Sequence, residues 1–407
     1  KQSVNIDFET SRNVTDALTT GSLFGIGLNL GLRNRNAFSE SIQSSSNLRF
    51  GVELGPNIVQ TAQASFSHNI AVPRFILPFR NNFEKNWTAP KTLINFNTAY
   101  TDRRKYVQVR SVNTSWGYSA SKKNHTWQYI PFNIEYTSVN KSDSFRRDEV
   151  NFPTLALAFN TGLIISQIIS YTTGKVSGRN EKIFRASFEE SGAIFGMIKN
   201  LERGDLNRFL KLDLEYRRLI KNPKSAWAFR AFGGYGFVYG KMGNEKETNL
   251  PFFKAYFGGG PYSMRAWQVR QLGLGSSKVF EDTARRSPDR FGDMKLEGNV
   301  EYRFNLATIA GIKVKSAFFV DMGNVWGKAV DKNMNKLDST EFNLGRLYKD
   351  LAVGGGTSLR FDFDFFLIRL DWAYKLKDPI YADDRSGWLH NLKLSDGQFQ
   401  LGIGYPF

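Results

Sequence analysis

The chain has 407 residues, 41% of them hydrophobic, with a formal net charge of +17 and a mean hydropathy of −0.38. It has no cysteine and three scattered histidines, His68, His125 and His390, which excludes disulfides, thiolate metal sites and a cysteine nucleophile and leaves no histidine pair at ligand spacing. Its 55 Lys and Arg residues never cluster into a run of five and alternate with apolar neighbours, a pattern of a wet basic interior or an anionic membrane surface rather than of a nucleic-acid face.

No charged-then-apolar signal segment follows Lys1. No apolar run of about 18 residues is present, so no transmembrane helix is expected. The nearest run, Phe152–Tyr171, carries Pro153, Asn160, Thr161 and Gln167. What recurs instead is period two. In chain order it predicts about 16 strands: Ser3–Glu9, Leu23–Arg33, Ser41–Leu54, Gln63–Arg74, Thr92–Asp102, Tyr106–Ser121, Thr126–Val139, Ile164–Val176, Lys182–Gly196, Phe209–Asn222, Ala226–Gly240, Phe291–Phe304, Ile312–Trp326, Leu351–Asp364, Phe365–Lys377 and Gln398–Phe407.

The alternation is clearest in the second half. From Leu210, the residues Leu210, Leu212, Leu214 and Tyr216 oppose Lys211, Asp213, Glu215 and Arg217. Met294, Leu296, Val300, Tyr302 and Phe304 oppose Lys295, Glu297, Asn299, Glu301 and Arg303. Phe366, Ile368, Leu370, Trp372, Tyr374 and Leu376 oppose Arg369, Asp371, Lys375 and Lys377. Many of the strands run to about 10–15 residues, beyond the roughly 5–6 usual in globular sheets and long enough to cross a bilayer tilted. Within lipid every backbone group must be paired, which leaves a closed antiparallel barrel with the charged face inside. Trp116, Trp127, Tyr216, Tyr374 and Tyr405 are expected to form its interfacial girdles. Connections alternate in length, with tight turns at SKKN, GRN and NPKS. The expected architecture is therefore all-β: one transmembrane antiparallel β-barrel domain over residues 1–407, about 16 strands.

One connection is out of scale. The loop over 241–290 carries FGGGPYSMRAWQVRQLGLGS, glycine-hinged and arginine-bearing, and a loop of that length is expected to be functional. Glu301 and Asp321 fall on the polar faces of neighbouring strands. A guanidinium folded inward from Arg265 could fork between them and pin the loop in the lumen as a plug. The terminal strands look weak. The first reads as only about seven residues, and QFQLGIGYPF carries Gly402, Gly404 and Pro406, with Phe399, Leu401, Ile403, Tyr405 and Phe407 alternating outward. Val4, Asn5 and Ile6 with Gln400, Leu401, Gly402, Ile403, Gly404, Tyr405 and Phe407 are thus expected to line a lateral seam between the first and last strands.

The residues Met264, Arg265, Ala266 and Trp267 resemble the arginine-centred loop motif of the BamA/TamA superfamily of outer-membrane assembly barrels. Gly258–Gly260 and Arg270–Gly273 resemble the TamL branch of Bacteroidetes. Phe318–Trp326, Gly292–Phe304, Asn34–Ser41 and Gln400–Phe407 resemble further family blocks, in order. Ala266 departs from the family's glycine, so a tip conformation different from the family's is expected. The family's periplasmic repeat domains have no counterpart in these residues. The resemblance implies an integral protein of the Gram-negative outer membrane that inserts or exports β-rich polypeptides. The implied partners are outer-membrane lipid or lipopolysaccharide, unfolded client outer-membrane proteins, and accessory lipoproteins or periplasmic and inner-membrane proteins. No cofactor, metal or nucleic acid is expected, and no enzyme: Ser/His/Asp spacing is absent, and Gly354–Ser358 lacks the lysine of a phosphate loop. Asp383 and Asp384 read as a solvated loop pair. The alternatives are a passive porin or substrate channel, and an exporter serving a single secreted protein.

Overall fold

The computed structural model describes residues 2–13, 23–55, 58–77, 87–151, 159–194, 206–239, 241–242, 245–246, 249–278, 290–328, 338–363, 365–390 and 392–407. Sixteen strands form one sheet in sequence order. They are β1 (Gln2–Asn13), β2 (Leu23–Ala37), β3 (Ile42–Gly55), β4 (Ile58–Val72), β5 (Thr88–Arg103), β6 (Val107–Lys122), β7 (His125–Lys141), β8 (Gly162–Ser177), β9 (Asn180–Ser191), β10 (Phe209–Lys221), β11 (Ser225–Val238), β12 (Met294–Ile309), β13 (Ile312–Trp326), β14 (Ala352–Asp362), β15 (Leu367–Lys377) and β16 (Gln398–Ile403). The chain divides into two compact units, one of Lys1–Tyr171, Ser187–Leu210 and Tyr239–Glu247, the other of Thr172–Ala186, Lys211–Val238 and Thr248–Phe407.

In the first unit the antiparallel registers place small polar residues in cross-strand rows. One row runs Asn5, Gly31, Asn47, Ser67, Asn97, Asn113 and Glu135. The next runs Ser3, Arg33, Ser45, Asn69, Asn95, Ser115 and Asn133. Amides and hydroxyls pair along them, as in Asn95–Ser115 at 3.0 Å and Asn133–Ser166 at 3.0 Å. The opposite face carries Ile26, Phe50, Phe66, Phe96, Val112, Phe132 and Tyr136, all exposed. A short helix, α1 (Asp143–Asn151), follows β7 and buries Phe145 against Val107.

The second unit has the same inverted polarity with charge in place of amides. Glu297, Asn299, Glu301, Asp321, Arg360, Arg369 and Asp371 are buried on the inner face of β12–β15, whereas Leu212, Leu214, Tyr216, Trp227, Phe318, Val320, Met322 and Trp372 stand exposed on the outer face. Phe318 is 60% exposed while Asp321, three residues on, is 0%. In water this arrangement is the wrong way round. Against hydrocarbon it is the stable one, because the oily face needs no desolvation and the polar face is sheltered. Among the described residues no helix is long and apolar enough to cross a membrane.

Several elements differ from the reading of the sequence. β1 extends to Asn13, paired with β2 from Gln2↔Asn34 to Asn13↔Leu23, so the first strand is 12 residues long rather than seven. Its polar end lacks alternation, yet backbone pairing continues. Of Phe152–Tyr171, residues 152–158 lie outside the described residues, and strand β8 begins at Gly162. A two-residue hairpin, Lys241–Met242 with Glu245–Lys246, opens the long loop. The last strand stops at Ile403, six residues in all, because Gly404 takes φ +79 and turns the chain. Tyr405 and Phe407 therefore do not alternate outward. They lie over the Arg303 guanidinium at 4.4 and 5.5 Å, so Tyr405 is no girdle residue.

Leu214→Arg puts a charge on the exposed face of β10, and the expected cost is about 2–4 kcal/mol if that position lies at mid-bilayer. Urea titration of folding into phospholipid vesicles measures it. A null effect in vesicles would show that this face does not meet lipid.

Candidate functional site

The loop after the short hairpin folds back over the inner face of the second unit. Gly259 and Gly260 take φ +96 and +92, and a Cβ on Gly259 would lie 1.9 Å from the Gln268 carbonyl oxygen, so only glycine permits the reversal. Gly260 N–H donates to Trp267 O at 2.8 Å and Arg270 N–H to Gly258 O at 2.9 Å, closing a turn that presents residues 261–267 to the sheet. Met264, Ala266, Trp267 and Leu272 form an apolar cluster with Phe319, Ala352 and Ala373 of β13–β15. Ala266 adopts no positive φ. Its methyl faces Gly354, where a Cβ would come within 2.8 Å of it. The tip thus needs no glycine at 266, and the glycine run of β14 makes the room. Gly234 and Gly236 of β11 serve the loop likewise, seating Tyr256 and Leu250 where side chains would collide.

Arg265 is 0% exposed. Its Nε and Nη2 donate to Asp321 Oδ2 and Oδ1 at 2.9 and 2.8 Å, and its Nη1 donates to Glu301 Oε2 at 2.8 Å. Its backbone N–H also donates to Asp321, at 3.1 Å. The guanidinium lies 3.3 Å from the centroid of the Phe319 ring. The structure thus brings Met264–Trp267, Glu301 and Asp321 together. The register explains it: Asn299, Asp321 and Gly354 share one row, so the carboxylate sits beside an amide, which donates to it at 2.9 Å, and beside the gap that admits the loop.

Around this clasp lies a network that the sequence reading did not assign. Glu301 also pairs with Arg303 at 2.5 Å and Arg360 at 2.7 Å. Asp371 pairs with Arg369 at 2.7 Å and lies 4.0 Å from Arg265. A second branch ties the loop through Ser263, whose Oγ donates to Glu297 at 2.5 Å, with Lys295 and Arg230 on the same carboxylate. Arg230 continues to Glu215 at 2.6 Å. Apart from Ser263 of the loop, the signal for these residues was available in the alternation itself, since they lie on the polar faces of β10–β15.

The network also reaches the last strand. Gln400 Nε2 donates to the carbonyls of Arg265 and Trp267 at 3.3 and 3.1 Å. Gly402 lies on Arg369, whose Nη2 would sit 2.5 Å from a Cβ there. Leu401 and Ile403 are exposed outward. Gly404 donates to Leu367 O at 2.7 Å, and the Phe407 carbonyl accepts from Arg303 at 3.2 Å. In the first unit, Val4 and Ile6 of β1 are exposed outward, and Asn5 faces a cavity of about 360 Å³ lined also by Gly31, Asn47 and Asn95. Asp383 and Asp384 stand in separate contacts, with Lys278 at 3.2 Å and His390 at 2.8 Å. Among the described residues no group of three His, Cys, Asp or Glu side chains could hold a metal ion.

The root of the loop is held by Asp293, just before β12. Its Oδ1 accepts from Leu250 N–H at 2.8 Å. Burial pushes its carboxyl up to about 6, against the Leu250 N–H bond and Lys328, which pull it down; Glu341 adds to the rise. A carboxyl raised in the folded state favours folding when protonated. Its contribution is complete below the ordinary aspartate range and is lost as pH rises to about 6. Asp293→Asn keeps the acceptor and is expected to remove the loss of loop-root amide protection, taken relative to the intrinsic exchange rate, between pH 4 and 7; an unchanged protection profile would remove Asp293 as its source.

Removing one partner of a buried pair strands the others, at about 3–5 kcal/mol. Arg265→Ala is expected to lower the thermal midpoint and open the loop to trypsin. Arg265→Lys should be intermediate, because an ammonium cannot fork between two carboxylates. Wild-type stability and loop protection in Arg265→Ala would show that the clasp carries no net stabilisation.

The sequence matches the Omp85 superfamily domain over residues 2–407. Comparison with curated proteins returns no match in sequence. Among solved structures, BamA from Haemophilus ducreyi lacking POTRA domains 1–3 is similar at TM-score 0.61 and 13% identity, covering 99% of this chain and 69% of that one. CdiB from Escherichia coli is similar at TM-score 0.50 and 11% identity, covering 92% of this chain and 64% of that one. At such identity the likeness speaks for the fold, the β-barrel of BamA. With its family domain matched from the second residue to the last, the chain belongs to the Omp85 superfamily.

Proposed function

We propose that this protein, integral to the outer membrane of a Gram-negative cell, inserts or exports β-rich polypeptides by offering strand edges through a lateral seam at β1 and β16. The observation that supports this reading most is the end of the sheet. β16 is six residues long against eleven in β15, and its last residues are tied to the loop and the buried ion network rather than to more strand. A short terminal strand presents backbone groups with no lasting partner, and such an edge is a template for another strand. The family likeness points the same way: BamA and CdiB are barrels of this fold. Folding of the client itself would supply the driving force.

The proposed partners are those that the family resemblance implies. Outer-membrane lipid or lipopolysaccharide covers the exposed apolar face, unfolded outer-membrane proteins meet the edge, and accessory lipoproteins or periplasmic and inner-membrane proteins complete the machine. The glycine run Gly258–Gly260 and Arg270–Gly273 favour a TamL-like member from Bacteroidetes. The buried tip, with Met264 and Trp267 packed on β13–β15, weighs against a passive porin, which needs an open lumen.

The test uses the purified protein in phospholipid vesicles and a urea-unfolded eight-stranded barrel as client. It is expected to speed client folding, and a photo-crosslinker on Leu401→Cys should capture the client where one on Leu214→Cys does not. Equal capture at both positions, or no acceleration, would reject edge templating; steady single-channel conductance with no acceleration would favour the porin.

A further inference from the structure

The outer edge of β16 is already occupied at one residue by the protein's own loop. Gly404 N–H donates to Leu367 O, which makes Gly404 and Leu367 a bonded position of the β15–β16 ladder. Ile403 and Ile368 are the next pair. In an antiparallel ladder bonded and non-bonded pairs alternate, so the N–H and C=O of Ile403 both point away from β15. Both end on one atom. The Tyr262 hydroxyl donates to Ile403 O at 2.7 Å and accepts from Ile403 N–H at 3.1 Å.

A phenol here does what the backbone of a neighbouring strand residue would do: it supplies one donor and one acceptor to a single edge residue. Nothing else about Tyr262 requires this. Its ring is half exposed and rests 5.5 Å from the Arg369 guanidinium, whose Nη2 donates to the adjoining Pro261 carbonyl at 2.7 Å. Three residues further on is Arg265, locked between Glu301 and Asp321. The tyrosine is therefore set by the buried clasp and placed on the edge by it.

We infer that Tyr262 is an edge cap, a positioning residue that holds the Ile403 end of β16 closed to strand addition until the loop tip shifts. This rests on the edge-templating function proposed above and deepens it. An incoming extended polypeptide reaches Phe399 and Leu401 first and must displace the phenol to extend its pairing to Ile403. Release of the clasp and availability of the edge are then one two-state event.

The experiment has two arms, both on the full chain in phospholipid vesicles. The first is amide exchange at Ile403, with Gly404, bonded to Leu367 independently of Tyr262, as internal control. Tyr262→Phe keeps the ring and removes both hydrogen bonds. Exchange at Ile403 relative to Gly404 is expected to rise about fivefold or more, and Arg265→Ala should raise it in the same direction. A tyrosine that merely stabilised the barrel would change both amides together. An Ile403 ratio unchanged in both variants overturns the cap. The second arm is capture of the urea-unfolded client by a crosslinker at Ile403→Cys, with or without Tyr262→Phe. Capture is expected to rise with Tyr262→Phe, and unchanged capture despite faster exchange overturns the competition. If the wild-type protein does not accelerate client folding at all, the proposed function fails, while the exchange arm still decides the cap.

Discussion

A guanidinium that no water reaches must have its charge balanced and each of its nitrogens bonded by protein, and Arg265 is such a group. Asp321 takes two of its nitrogens and its backbone N–H, Glu301 takes a third nitrogen, and the Phe319 ring covers one face of the plane. Such completeness fixes position. The loop tip is held at hydrogen-bond distance, 2.8 to 3.1 Å, from the carboxylates of β12 and β13, and the backbone around it is shaped to allow this. Gly259 and Gly260 reverse the chain, and Gly354 leaves space for the methyl of Ala266. The strand glycines that look like weaknesses in a sheet are the places where the loop docks.

Inverted polarity makes the clasp necessary. A sheet that turns its apolar side chains to lipid cannot use them to pack its own interior. The second unit fills its inner face with ion pairs and with an apolar patch lent by the loop, while the first lines its inner face with rows of asparagine and serine. The two solutions differ in stiffness. Amide and hydroxyl rows are joined by neutral hydrogen bonds, whereas the charged cluster has charge-assisted ones, which are about twice as strong. The immovable part of the interior therefore lies beside the last strand, where the proposed function needs a switch with two definite states.

Much of this was readable in the sequence, for a simple reason. Period two is a geometric property of strands, so Glu301, Asp321, Arg369 and Asp371 could be put on polar faces, and Leu214 and Phe318 on apolar ones, without knowing the register. Which of those charges meet depends on register and on loop path, and neither is local. Arg303 and Arg369 were visible as lumen charges but not as partners. The ends were misjudged for a related cause. Thr10–Asn13 lack alternation and still pair along β2, because backbone bonding does not require it. Gln398–Phe407 alternate to the final residue and still leave the sheet at Gly404, because a positive φ and the cations beneath Tyr405 outweigh the pattern. The two hydrogen bonds between Tyr262 and Ile403 join residues 141 positions apart, and nothing in either neighbourhood announces them.

The outward faces of β10–β16 carry leucines, phenylalanines and tryptophans on strands built to associate edge to edge. Before it reaches a bilayer, the nascent chain exposes those alternating oily segments to an aqueous compartment, where like segments zip into insoluble stacks. The protein thus carries the same hazard as the β-rich cargo proposed for it. Those segments must therefore be kept apart until they meet hydrocarbon, where the same side chains become the stable outer face.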